Sequence, residues 1–175
     1  MRVLHRMGSL RTVVAVLTVI TALQMTLIAL GNITDYETNH QFVVHVFAMD
    51  TTFKSPHLMW RSVTNPTLVT SAYVLIIAWE TIAALVLIAA VVAWVRALGG
   101  RGTTDTARRL STLGWLMWLV LFAGGFIAVG GEYFQMWQSS KWNGLQSALQ
   151  NIIIASFALI IANLPRAREN TVTTD

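Results

Sequence analysis

Four long apolar runs alternate with polar segments along the chain, over residues 10–30, 68–95, 110–131 and 147–164. Each is close to the ~20 residues a helix needs to cross a ~30 Å hydrocarbon core. The pattern therefore predicts four spanning helices. The first run follows a basic start with Arg2, His5, Arg6 and Arg11. Ala29-Leu30-Gly31 imitates a signal cleavage site, but the run exceeds the ~7–15 apolar residues of a signal peptide, so it is read as a retained helix. Asn65-Pro66 sits where proline suits a helix entry, and Pro165 closes the fourth run. Between the first two runs lies a connector, residues 31–66, long enough to carry function or structure of its own. Its apolar piece, FVVHVFAM at 42–49, is too short to span, and periodicity does not separate a strand-like from a short helical piece lying at the interface. The expected fold is all-α: a single integral membrane domain over 1–175, a membrane-embedded four-helix bundle with a long outer loop between helices 1 and 2.

Composition agrees, with 55% hydrophobic and 11% charged residues and a mean hydropathy of +0.59, values foreign to a soluble globule. The net charge of +4 does not point to nucleic acid, because the basic residues lie between the apolar runs and not on one amphipathic face. They speak instead to topology. Arg2, Arg6, Arg11, Arg96, Arg101, Arg108, Arg109, Arg166 and Arg168 fall on one side, against Lys54, Arg61 and Lys141 on the other. The positive-inside bias then predicts cytoplasmic termini. The connector and the polar segment 130–144, GGEYFQMWQSSKWNG, would share the outer face. The absence of Cys excludes disulfides, thiolate metal sites, iron–sulfur clusters and covalently attached haem.

The runs NITDYETNHQFVVHVFAMDTTF, LMWRSVTNPTL, YVLIIAWE and GGEYFQMWQSSKWNG combine rare Trp, acid and Asn positions in one order. In these motifs, which cover nearly the whole chain, the sequence resembles the bacterial family of predicted small integral membrane proteins known as a domain of unknown function. Tyr133 stands where that pattern leads one to expect Trp. The resemblance implies a four-helix protein of the bacterial inner membrane and carries no activity with it.

Glu80 is the only acid within a run. A charge at the bilayer centre costs about 2.5–3.5 kcal/mol on insertion scales, so Glu80 is expected to face the bundle, with Gln24 as its hydrogen-bond partner at similar depth. It would serve either as a neutral carboxyl locking two helices or as a proton or cation relay. Glu132 marks the emergence of the third helix, with Gln135 and Ser139 on its face if the helix continues, and Lys141 or Arg61 as ionic partners. His40, His45 and His57 lie outside the runs, which excludes intramembrane haem ligation. An outer-face metal site from His45, Asp50, His57 and Glu132 is one reading, but His40 and His45 lack helical ligand spacing, and no cofactor is expected. Trp60, Tyr133, Trp137 and Trp142 read as an outer aromatic belt, and Trp94, Trp115 and Trp118 as its inner counterpart. Gly124, Ala128 and Gly131 form a small-residue strip for a neighbouring helix. Asn143, Gln146, Gln150 and Asn151 would glue helices together or line a polar vestibule.

Neither a phosphate-binding loop nor a nucleophile arrangement is present in the sequence. The expected role is thus non-catalytic: an accessory, assembly or scaffold subunit that touches the lipid bilayer and a membrane-protein partner or itself, with no nucleic acid. The alternatives are a proton-coupled transporter or channel for a small solute using Glu80, and, more weakly, a membrane enzyme or metal protein with an outer-face site.

Overall fold

The structure, a computed structural model, describes residues 8–164, and every regular element among them is helical. Helix α1 is Leu10–Thr34, α2 Tyr36–Ala48, α3 Pro66–Leu98, α4 Thr104–Leu119 and α5 Leu145–Ala162. Helix α4 runs on without a break as a π-helix, Val120–Tyr133. With α4 and its extension taken together, α1, α3, α4 and α5 are long and apolar enough to cross a membrane. Arg2, His5, Arg6, Pro165, Arg166 and Arg168 lie outside the described residues.

Local chemistry sets the boundaries. Ser9 Oγ accepts from Thr12 N to open α1, and Asn65 Oδ1 accepts from Thr67 N and Leu68 N to open α3, with Pro66 as its first residue. Both satisfy donors that a helix start leaves unpaired. Thr103 Oγ1 does the same for α4.

In the half of the bundle away from the 31–66 connector, α1, α3 and α4 pack around indoles. Trp94, Trp115 and Trp118 are buried at 3%, 0% and 0% exposure, so they are core residues and not an inner interface belt. The reason is that hydroxyls meet two of the indole N–H groups inside the protein, where Trp is otherwise costly. Trp94 Nε1 donates to Ser111 Oγ at 3.0 Å and Trp115 Nε1 to Thr21 Oγ1 at 2.9 Å, while Thr18 and Ser111 share a bond of 2.8 Å. The close approach of α3 and α4 requires Gly114, where a Cβ would sit 2.5 Å from Leu87 Cδ2.

The small-residue strip is rearranged. In the π-helix, pairing runs from i to i+5, as in Phe134 N to Val129 O at 3.0 Å, so α-helical spacing no longer defines a face. Gly124 and Ala128 are exposed, and the buried pair is Gly130 and Gly131.

The connector's apolar piece belongs to a helix, α2. It leaves α1 through Asp35 and runs beside α3: Tyr36 meets Tyr73, His40 Nε2 bonds Thr70 Oγ1 at 3.1 Å, and Val63 N donates to Phe47 O at 2.8 Å. Length explains the arrangement. At 1.5 Å per residue α3 is about 50 Å long and runs about 21 Å beyond Glu80 toward Pro66, whereas α1 ends at Thr34. The 13 residues of α2 cover that overhang.

Candidate functional site

Segment 130–144 folds back over the same end of the bundle and closes it against α2. After Tyr133 the helix stops, Gln135 takes a left-handed conformation at φ 58°, and a 3-10 turn follows at Met136–Gln138. Gln135 and Ser139 are therefore not on a continuing helical face with Glu132. Gln135 Nε2 instead donates to the Glu132 carbonyl oxygen. Ser139 Oγ accepts from Thr51 Oγ1 at 2.8 Å and from Trp142 N at 2.9 Å, and Gln138 Oε1 accepts from Phe53 N at 2.8 Å. These bonds tie the connector to 130–144. Phe47 stacks on Phe134 with centroids 4.6 Å apart, and His45 stacks on Trp142 at 4.5 Å.

Between α2 and the spanning helices this closure leaves a cavity of about 360 Å³, within the usual range for small-ligand sites. From α2 come Asn39, Phe42, Val43, Val46 and Phe47, and from α3 come Tyr73, Ile76 and Glu80. The π-helix contributes Leu121, Gly125, Phe126, Val129 and Gly130, with Asn32, Met136, Gly144 and Ser147 completing the wall. Gly144 is small for a reason, since a Cβ there would lie 2.9 Å from the Phe126 ring and 3.2 Å from that of Phe42.

Glu80 is the acid of this cavity, only 2% exposed. Its Oε2 accepts from Asn32 Nδ2 at 2.6 Å, and the Asn32 carbonyl oxygen accepts from Tyr73 Oη at 3.1 Å. Oε1 has no partner among the described residues, and Glu80 borders the cavity. None of the lining residues is Lys, Arg or His. One to two turns deeper, Met25, Ala83 and Leu87, each at 0% exposure, belong to the hydrophobic core.

The expected partnership of Glu80 with Gln24 is corrected by this geometry. Gln24 lies eight residues before Asn32, about 12 Å along α1, because α3 is displaced toward the α2 end. Gln24 Nε2 bonds Asn151 Oδ1 of α5 at 3.0 Å instead. Asn151 is thus the amide that joins helices, whereas Gln146 and Gln150 are exposed and Asn143 Oδ1 accepts from Leu145 N at the start of α5.

Of the expected outer-face metal ligands, only His45 and Asp50 come together, with Nδ1 and Oδ2 2.6 Å apart. His57 and Glu132 do not join them, and no group of three or more His, Cys, Asp or Glu suited to a metal occurs among the described residues. Glu132 is exposed and forms no ion pair with Lys141 or Arg61 among the described residues. Those cations serve aromatic rings: Arg61 lies 5.5 Å from the Trp60 centroid and 5.3 Å from that of Tyr133, and Lys141 Nζ lies 4.8 Å from that of Trp142. Trp137 is exposed and meets Phe53 edge-on, so Trp60, Tyr133 and Trp137 form an exposed aromatic rim while Trp142 is drawn under α2.

Asn32, Tyr73 and Ile76 are site residues that the sequence reading missed. Tyr73, Ile76 and Glu80 repeat at i, i+3 and i+7, the spacing of one helical face. Asn32 carried no comparable signal, because its role depends on how far α3 slides past α1.

Fold and cavity together define a four-span helical membrane protein with a pocket between α2 and the spanning helices. The chain belongs to the DUF2165 family of predicted small integral membrane proteins, whose family model matches residues 10–165. No curated protein and no solved structure matches it.

Proposed function

We propose that this protein is a non-catalytic accessory protein of the bacterial inner membrane that holds a small amphiphilic ligand between α2 and the bundle. The observation that carries this reading is the cavity of about 360 Å³ with one free carboxyl oxygen, Glu80 Oε1, in an otherwise largely apolar wall. Such sites combine apolar lining with a few polar groups that fix orientation. The exposed rim of Phe53, Trp60 and Trp137 supplies interfacial anchors and a surface for a membrane partner. Native mass spectrometry of protein extracted from its own membranes tests the reading. The expected result is a bound non-protein mass that Ile76→Trp, which fills the cavity, removes. Wild-type protein with no bound mass, or a mass unaffected by Ile76→Trp, refutes it.

Transport is the second reading, favoured by the position of Glu80 in the cavity wall and opposed by the hydrophobic core at Met25, Ala83 and Leu87. It requires a solute flux in proteoliposomes that Glu80→Gln abolishes without loss of folding. A flux indifferent to that change eliminates it.

A further inference from the structure

Resting on the cavity reading above, we propose that the ligand class is a lipophilic amine, bound with its protonated nitrogen at Glu80 Oε1 and its apolar body among the aromatic rings. Three observations converge on this chemistry. First, the carboxyl group is buried, its one hydrogen bond comes from the neutral donor Asn32 at Oε2, and Oε1 is left over. Second, no Lys, Arg or His lines the cavity, so the protein provides no countercharge there. A carboxylate buried without one is costly, and a ligand that brings the cation relieves that cost. Third, Phe42, Phe47, Tyr73 and Phe126 line the same cavity, an aromatic wall suited to the apolar body of such a ligand.

Alternative head groups fit less well. An anionic head group would meet Glu80 with no cation to offset the repulsion. A wholly apolar ligand would leave Oε1 unsatisfied, as it is now. An ammonium N–H donor matches the unused acceptor and gives the short, charge-assisted contact that such pairs form. Asn32, itself fixed by the Tyr73 hydroxyl at 3.1 Å, acts as a positioning residue by holding Oε2 so that Oε1 is presented to the ligand.

The test uses full-length protein in lipid nanodiscs, with empty nanodiscs as the partition control. The probes are N,N-dimethyl-4-phenylbutylamine and its uncharged isostere (5-methylhexyl)benzene, which replaces the nitrogen by CH. The amine is expected to bind saturably and more tightly than the isostere. Glu80→Gln is expected to weaken the amine by about ten- to a hundredfold, the range of a lost charge-assisted contact, without changing the isostere. Glu80→Asp is expected to retain part of the preference, and Ile76→Trp to weaken both probes. Circular dichroism melting establishes that each variant is folded. Equal binding of the two probes, amine binding indifferent to Glu80→Gln, or no saturable amine binding overturns the amine inference. The native-ligand measurement described above stays independent of the probes, so loss of the amine inference is distinguishable from loss of the cavity reading.

Discussion

The contact between Asn32 and Glu80 joins α1 to α3 at a point where neither side chain has another polar partner side chain. Replacing Asn32 by Ala leaves a buried acid without its donor, which costs about 1–3 kcal/mol. The backbone bond from Tyr73 Oη to the Asn32 carbonyl oxygen survives the change. Equilibrium unfolding in mild detergent should therefore show Asn32→Ala destabilised, and the double variant Asn32→Ala/Glu80→Gln less destabilised than the two single effects summed, because they remove one interaction. Strict additivity would disprove the coupling. At Gly114 the issue is steric. Its missing Cβ makes room for Leu87, whose Cδ2 and Cγ would lie 2.5 and 2.6 Å away. Gly114→Ala should cost about 1–3 kcal/mol by overpacking, read as a lowered melting temperature, and Leu87→Ala in the same chain should recover part of the loss. A Gly114→Ala protein that melts like wild type would show that the helices separate freely there.

Among the elements, the joint between the connector and segment 130–144 depends on few hydrogen bonds. Ser139 is 4% exposed and accepts from both Thr51 and Trp142, so Ser139→Ala strands two donors at once. The expected outcome is faster amide exchange and proteolysis across residues 49–65, with α3 and α5 unchanged, because loosely tied loops open locally before the core does. Unaltered protection of 49–65 would mean that the ring stacking alone holds the joint. The spanning helices were legible in the sequence because apolar length is a local property, and so was the sharing of one end by the connector and 130–144, through the alternation of sides; that the two segments bond to each other was not, because Ser139 and Thr51 are far apart in the chain. Helix α2 was not. The window FVVHVFAM contains only the apolar half of a helix whose other contacts, Tyr36 and His40 on Tyr73, begin earlier. Glu80 was legible as a buried acid, but its partner depended on the stagger of α3 against α1. The Trp residues of the core misled for a related reason: an indole near a helix end reads as an interface anchor until the hydroxyls of Thr21 and Ser111, distant in sequence, are brought to it.

For the whole molecule, the remaining asymmetry is electrostatic. Arg11, Arg96, Arg101, Arg108 and Arg109 are the described Lys and Arg residues at the end away from α2, and Lys54, Arg61 and Lys141 are those at the α2 end. Arg61 and Lys141 are held against aromatic rings, the arrangement of interfacial anchors, whereas Arg96 at the end of α3, Arg101 in the α3–α4 loop and Arg109 in the second turn of α4 are exposed. On the positive-inside rule the arginine-rich end should face the cytoplasm, which would place α2 and the aromatic rim outside. The chain contains no Cys, so single cysteines can be introduced without background. His57 and Gly102 are exposed at opposite ends, and a Cβ at Gly102 meets nothing closer than 3.4 Å. A membrane-impermeant maleimide applied to intact spheroplasts should label His57→Cys and spare Gly102→Cys until the membrane is opened. The reverse pattern would invert the topology and put α2 and the aromatic rim on the cytoplasmic side.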